Sequence, residues 1–311
     1  MFVNSFYLLL GGLLLFWGAD LLVDGSKNLS LKLGIRPLIV GLTVVAFGTS
    51  APELLVSLVS AAKGSPEMAV GNIIGSNIVN IALILGIVSI LKPVYVRKES
   101  LKTDFPVMLI VGILLFIFSI DGTLSRLDGV LLLLSFIAYI IFCIYTSKDK
   151  DSEDQVPPKK SKLFYSSITI IGSINIILGA NLLVQGGIFW ARAFNVSEVF
   201  IGLTLFAIGT SLPELATSTV AILKEESDIS LGNIIGSNIQ NISLILAAVA
   251  CISPLSIPGI FLKADLPIML SYSFLLFLIL LVRKKLERTS GLFLLVSYCF
   301  YVYYLYYRNS G

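Results

Sequence analysis

Two glutamates sit inside apolar stretches, each in the same polar setting. The first lies in Gly48-Thr49-Ser50-Ala51-Pro52-Glu53 and the second in Gly209-Thr210-Ser211-Leu212-Pro213-Glu214. Each is followed at the same distance by Gly-Asn-Ile-Ile-Gly-Ser-Asn, at 71–77 and 232–238. An unpaired carboxylate in hydrocarbon is costly, so an ionisable side chain within a membrane span marks a functional site. A duplicated pair with duplicated polar surroundings fits a cation site shared by two repeats.

The local chemistry supports that reading. Pro52 has no N–H, so the Gly48 carbonyl loses its helical donor, and the ring crowds it. Gly48 lets the backbone bend, and carbonyls near Ala46, Phe47 and Gly48 can then face an ion. Irregular backbone at membrane depth is tolerated where it lines a protein-enclosed cavity. Thr49, Ser50 and Glu53 are spaced i, i+1 and i+4, which puts their oxygens on roughly one face. Ala207, Ile208, Gly209, Thr210, Ser211 and Glu214 repeat the arrangement. Further on, Asn72, Ser76 and Asn80 form an i+4 stripe beside Asn77, repeated as Asn233, Ser237, Asn241 and Asn238. Ser76, Asn80, Ser237 and Asn241 read as cation ligands. Asn72, Asn77, Asn233 and Asn238 read equally as ligands or as amides that hold helices together.

The donor set is all oxygen, which suits hard cations, Ca²⁺ above all. It does not suit zinc or copper, which prefer nitrogen or sulfur. The chain has no histidine, which removes His-based zinc sites and Ser-His-Asp catalysis. Cys143, Cys251 and Cys299 lie in separate apolar segments and form neither a disulfide framework nor a metal cluster by pattern. No resident cofactor is expected; the ions are cargo. One divalent or two monovalent cations would neutralise two ionised glutamates. An empty, ionised pair is repulsive and desolvated, so it resists crossing the membrane unless protonated. That is a physical reason for obligatory exchange.

The elements that hold these groups must be membrane helices. Of 311 residues, 56% are hydrophobic and only 13% charged, with a mean hydropathy of +0.94. A soluble domain of this size does not hide so much apolar surface. Ten apolar runs are expected as spans, near 5–24, 36–61, 68–91, 104–120, 127–146, 164–191, 197–222, 229–252, 265–282 and 290–307. The first lacks a basic lead-in and a small-residue cleavage site, so it reads as a retained span. A charged stretch, 147–162, reads as a cytoplasmic linker. It divides the chain into a first five-helix repeat at 1–146 and a second at 163–311.

The halves are related. A shift of 161 residues maps Glu53 onto Glu214, Asn80 onto Asn241 and Asp104-Phe105-Pro106 onto Asp265-Leu266-Pro267. Between 41–85 and 202–246, 26 of 45 positions are identical, which marks a true duplication. Five spans per half is odd, so the halves enter the membrane from opposite sides. With the termini outside, cytoplasmic loops hold 17 of the 22 Lys and Arg residues. The positive-inside rule selects that orientation. Inverted repeats of this kind are a transporter design with a midplane site at broken helices. Other polar positions are weaker signals. Asp20 and Asp24 read as helix-end charges, Asp104 and Asp265 as helix starts. Glu67 and Asp228 are expected to face water, and the Tyr298–Tyr307 stretch to form an interfacial aromatic belt.

On the doubled Gly-Thr-Ser-x-Pro-Glu and doubled Gly-Asn-x-x-Gly-Ser-Asn, the chain resembles the cation/calcium exchanger superfamily, close to prokaryotic sodium/calcium exchangers. The resemblance covers nearly the full length. It implies an all-α polytopic fold of ten transmembrane helices in two inverted five-helix repeats. Spans 2, 3, 7 and 8 form its core, and spans 1 and 6 are long, tilted elements that slide across it. It implies ion ligands at Thr49, Ser50, Glu53, Ser76, Asn80, Thr210, Ser211, Glu214, Ser237 and Asn241, with main-chain carbonyls of Ala46 and Ala207. Potassium-dependent members carry Asp where this chain has Asn241, which argues against potassium co-transport. The linker has no room for the large calcium-sensing domains of animal exchangers.

The expected function is therefore antiport of Ca²⁺ against Na⁺ by alternating access in the cell membrane. The nearest alternative is Ca²⁺/H⁺ exchange on the same fold. A channel fits inverted repeats with broken helices less well, and an intramembrane enzyme lacks a nucleophile–base pair. A complete site within one chain permits a functional monomer. Nothing points to nucleic acid.

Overall fold

A computed structural model describes residues 2–146, 158–194 and 207–310. The expected linker falls mostly outside these residues, as do the start of the seventh span and the first five positions of the 202–246 motif. The described chain is almost entirely helical. Its helices are α1 (Phe2–Leu33), α2 (Pro37–Thr49), α3 (Ala51–Ala62), α4 (Pro66–Leu91), α5 (Lys98–Lys102), α6 (Asp104–Phe118) and α7 (Arg126–Tyr145). After the linker come α8 (Lys162–Ala193), α9 (Ala207–Thr210), α10 (Leu212–Leu223), α11 (Ser227–Ile252), α12 (Phe261–Arg283) and α13 (Arg288–Ser310). Among the described residues, eight helical segments are individually long and apolar enough to cross a membrane, and the bent pair α2–α3 makes a ninth.

Prolines at the first or second position open α2, α3, α4 and α10, where a missing N–H costs nothing. A Ser125–Asp128 capping box starts α7. Among the described residues wide π turns occur in four helices, at Gly41–Val45, Val79–Ile84, Asn241–Leu246 and Phe261–Asp265. Two short antiparallel strand pairs tie loops together. Val94–Tyr95 (β1) pairs with Lys285–Leu286 (β4), and Thr123–Leu124 (β2) pairs with Leu255–Ser256 (β3).

α4 and α11 are the most enclosed helices, with 78% and 83% of their apolar windows buried, against 33% for α1 and 22% for α7. The motif-bearing helices α4 and α11 thus lie at the centre, and α1 and α7 nearer the outside. α1 and α8 pack along their lengths as a closely spaced pair. A Cβ on Gly172 would stand 2.6 Å from the Leu22 amide, and one on Gly179 2.7 Å from the Leu15 amide. Gly11, Gly18 and Gly25 face this partner in the same way. Small residues let helix backbones approach this closely without a hydrophobic drive. Similarly, Gly232 and Gly236 of α11 take the Leu38–Leu42 backbone of α2.

α1 continues nine residues beyond its expected end. Lys27 and Asn28 fall beyond the expected span, but they belong to the helix, and they find partners as the expected helix-end charges Asp20 and Asp24 do. Lys224 Nζ lies 2.6 Å from Asp20 and 2.8 Å from Asp24, and Lys27 pairs with Glu226. Glu225 meets Lys92 and Asp228 meets Arg97. The α10–α11 turn is therefore clasped by four ion-paired positions. Asp228 is half-buried in one of these pairs and does not simply face water; Glu67 is exposed as expected. On the other half, Asn181 and Gln185 replace Asp20 and Asp24 and bond each other, while Gly64 and Ser65 replace Glu225 and Glu226.

Asp104 opens α6 as expected, and Asp265 directly precedes the α-helical part of α12. Both are buried rather than solvated. Tyr139 donates to Asp104 at 3.1 Å and Tyr301 to Asp265 at 3.2 Å. Arg308 grips Asp265 with contacts of 2.9 and 3.1 Å. The aromatic stretch of α13 is thus divided: Tyr298 is buried, Tyr301 points inward, and Tyr303 and Tyr307 face outward.

Candidate ion site

The chain breaks where the sequence places Gly-Thr-Ser-x-Pro. α2 and α3 meet at 47° across Ser50, whose backbone (φ −83°, ψ 10°) leaves the helix. Ser211 takes nearly the same conformation (φ −91°, ψ 8°) between α9 and α10. Glu53 and Glu214 then stand in the first turns of α3 and α10. The N-terminal end of a helix favours negative charge, so the break gives each acid a polar, positively biased anchor. Both acids are only 1% exposed.

The halves bind each other's acids. Ser50 Oγ donates to Glu214 Oε1 at 2.9 Å, and Ser211 Oγ donates to Glu53 Oε1 at 3.2 Å. Within each half, Ser76 donates to Glu53 and Ser237 to Glu214, both at 3.3 Å. Ser50 and Ser237 oxygens are 3.0 Å apart, and Ser76 and Thr210 oxygens 3.5 Å. Thr49 Oγ1 donates to Asn233 Oδ1 at 2.9 Å. Ten of the residues that sequence singled out are thereby buried in one interface: Thr49, Ser50, Glu53, Ser76, Asn80, Thr210, Ser211, Glu214, Ser237 and Asn241.

The expected carbonyls behave differently. Ala46 O accepts from the Ser50 amide at 2.9 Å and lies 3.2 Å from Thr49 Oγ1, so it is not freed by the proline. The reason is register: Pro52 deprives Gly48, four residues back, whereas Ala46 keeps Ser50 as donor. In the second half the Ser211 amide donates to the Ile208 carbonyl at 3.1 Å.

The four asparagines that read equally as ligand or glue make two kinds of hydrogen bond. Asn72 donates to the Glu53 carbonyl and to Ser57, and Asn233 to the Glu214 carbonyl and to Ser218. They brace α3 on α4 and α10 on α11. Asn77 and Asn238 cross to the opposite half and hold Asn241 and Asn80, each at 2.9 Å. Asn80 and Asn241 sit at the second and first positions of their π turns, a distortion that recurs at functional sites.

Among the described residues ten buried side-chain oxygens have no protein hydrogen-bond partner, and four of them lie here: Glu53 Oε2, Glu214 Oε2, Asn80 Oδ1 and Asn241 Oδ1. Buried acceptors are rarely unpaired. Here the orphans are two carboxylate and two amide oxygens, related in pairs by the duplication. That is a donor set for a hard cation. Among the described residues no group of three or more His, Cys, Asp or Glu side chains is placed to hold a metal ion; the other oxygens gathered here are hydroxyls and amides. A cleft of about 410 Å³ reaches Asn72 from the side of Glu67, Asp265 and Arg308.

Fold and site together define an all-helical, multi-pass membrane protein whose related halves meet at a buried acid pair. Residues 4–145 and 165–307 match the sodium/calcium exchanger protein family. The chain is 38% identical to CaxA of Alkalimonas amylolytica, which carries the name of an antiporter, over 98% of this chain and 99% of that protein. It is 32% identical to the sodium/calcium exchanger MaX1 of Methanosarcina acetivorans, again over 98% and 99%. The solved structure of the sodium-calcium exchanger NCX_Mj soaked with zero Na⁺ and Ca²⁺ matches with a TM-score of 0.86 and 35% identity, covering 98% of this chain and 99% of that one. The chain belongs to the sodium/calcium exchanger family.

Proposed function

We propose that this chain is an antiporter that moves Ca²⁺ in exchange for Na⁺ by alternating access. The cargo site comprises Glu53, Glu214, Asn80, Asn241, Ser76, Ser237, Thr49, Ser50, Thr210 and Ser211, edged by the carbonyls of Ala46 and Ala207. The observation that carries this reading is the reciprocal binding of each half's acid by the other half's serine, with four oxygens left over. A cation would bind the orphaned oxygens and draw Thr49 off the Ala46 carbonyl. The neutral Asn241 leaves two carboxylates for the cargo. One Ca²⁺ balances them; three Na⁺ would leave excess positive charge and make exchange electrogenic.

The same reading includes ten spans in two inverted repeats, 1–146 and 163–311, with the site near the midplane. Its tenth span joins α9 and α10 to residues outside those described. Ten spans put an even number of crossings between every pair of loops that touch: β1 and β4, β2 and β3, Lys27 and Glu226, Asp265 and Arg308. The face carrying the β1–β4 pair and most of the Lys and Arg residues is then cytoplasmic, with both termini and the 410 Å³ cleft on the other face. One chain holds the whole site and works as a monomer in the cell membrane.

The test is Ca²⁺ uptake into proteoliposomes under an outward Na⁺ gradient, compared with a pH gradient of equal size. Na⁺-driven uptake is expected. Uptake driven only by the pH gradient would replace Na⁺ with H⁺ as the coupling ion on the same two acids.

A further inference from the structure

We propose that Asn77 and Asn238 are positioning residues that fix which atom of the site amides faces the cation. This rests on the cation site proposed above and adds to it a role for two residues that hold no ion themselves. An asparagine amide can turn end for end about its last torsion at little steric cost. Turned one way, Asn80 and Asn241 present carbonyl oxygens to the site; turned the other way, they present N–H groups that repel a cation. A bond between two amides does not decide the matter, because both orientations satisfy it. The tie must be broken from outside the pair.

The structure contains the tie-breakers. Asn77 Nδ2 lies 3.4 Å from the backbone carbonyl of Asn238 and 3.7 Å from the sulfur of Met269. A backbone carbonyl and a thioether accept hydrogen bonds and never donate them. Asn77 must therefore turn its N–H groups toward them and its Oδ1 away. That Oδ1 faces Asn241, which must answer with Nδ2, at 2.9 Å. The carbonyl oxygen of Asn241 is then forced to the opposite side, where it has no protein partner. The other half repeats the logic. Asn238 Nδ2 meets the sulfur of Met108 at 3.8 Å, its Oδ1 accepts from Asn80 Nδ2 at 2.9 Å, and Asn80 Oδ1 is orphaned. Met108 and Met269 are themselves 161 residues apart. Asn77 and Asn238 are 2% and 1% exposed, so water does not compete for these bonds. Each chain of constraint ends on an unpartnered amide oxygen, and each passes through an asparagine of the opposite half.

The experiment is a double-mutant cycle on the purified full-length chain. Asn77→Leu removes both hydrogen-bonding functions at similar size. Half-saturating Ca²⁺ is read from Ca²⁺-induced thermal stabilisation, which requires no transport, and in parallel from exchange in proteoliposomes. Asn77→Leu is expected to raise half-saturating Ca²⁺ about tenfold while changing the maximum exchange rate by less than about twofold. In an Asn241→Ala background the same substitution should have no further effect, since there is no amide left to orient. Asn238→Leu with Asn80→Ala provides an independent cycle if the first variant does not fold. Effects that multiply in both cycles overturn the proposal, as does a lowered maximum rate with unchanged half-saturation. If Asn241→Ala and Asn80→Ala leave Ca²⁺ affinity intact while Glu53→Gln destroys it, the positioning role falls and the acid site stands. Absence of Ca²⁺-induced stabilisation in the unmodified chain overturns the positioning role and the proposed function together.

Discussion

Replacing Glu53 with Gln keeps the shape of the side chain and removes one charge, so it isolates the electrostatic part of the site. The acid is 1% exposed and its Oε2 has no protein partner. At a Ca²⁺–oxygen distance of about 2.4 Å and an effective dielectric constant of about 20, one charge on a monovalent ion is worth about 7 kcal/mol, and on a divalent ion about 14. Desolvation of the carboxylate and of the cation, the latter larger for the divalent ion, offsets most of this. If four-fifths cancels, about 3 kcal/mol of Ca²⁺ affinity and about 1.4 kcal/mol of Na⁺ affinity remain at stake. These correspond to losses of about a hundredfold and tenfold. The expected result is that the Glu53→Gln protein folds, loses Na⁺-driven Ca²⁺ uptake, and is stabilised thermally only by far higher Ca²⁺. Glu214→Gln should behave alike, given the reciprocal bonding. A Glu53→Gln protein whose half-saturating Ca²⁺ lies within threefold of the unmodified chain would refute the reasoning. So would equal losses for Na⁺ and Ca²⁺, because the argument turns on ion valence.

Other outcomes follow from particular contacts. Ser50→Ala and Ser211→Ala each remove a hydroxyl donor to the opposite acid and should cost about 1.5–3 kcal/mol of its hold, seen as a tenfold or greater rise in half-saturating Ca²⁺. Gly172→Val drives a side chain into the Leu22 backbone; the expected cost is at least about 1–3 kcal/mol, measured as a fall in thermal midpoint in detergent. Tyr139→Phe should destabilise more than Tyr301→Phe, because Asp265 keeps the hydrogen bonds of Arg308 while Asp104 has no guanidinium hydrogen bond among the described residues; paired thermal melts check the order. On the surface, the hydrogen bond from Lys92 holds the Glu225 carboxyl below its usual range, and Lys285 does the same for Glu287. With folded values below unfolded ones, their contribution is present above about pH 4.3 and is lost as pH falls through the folded value. Lys92→Met should therefore flatten the acid limb of a melting-temperature profile.

Much of the site was legible because it was written twice. Glu53 and Glu214 in apolar runs, with hydroxyls at fixed offsets, pointed to one interface, and the reciprocal serine bonds bear out their meeting. The proline break was legible for the same reason that prolines always are: a missing donor. Three things were not. The stretch of α1 after Asp24 looked like a loop because Lys27 has no visible partner until Glu226 arrives from about two hundred residues away. The π turns that carry Asn80 and Asn241 leave no pattern in residue type. The work of Asn77 and Asn238 depends on which amide end faces a carbonyl or a sulfur, a distinction that composition does not record. Asp104 and Asp265 were placed at helix starts by their prolines, but their tyrosine partners lie some 35 residues on.

The glycine seam between α1 and α8 has a mechanical meaning. At about 1.5 Å per residue, these 32-residue rods run about 48 Å, well past the roughly 30 Å of hydrocarbon. Joined backbone to backbone, they leave little compliant packing between them to absorb a push. Force applied to one rod near Asp20 and Lys27 is carried along both, so the two surfaces of the membrane are linked by a stiff beam rather than by a chain of yielding side chains.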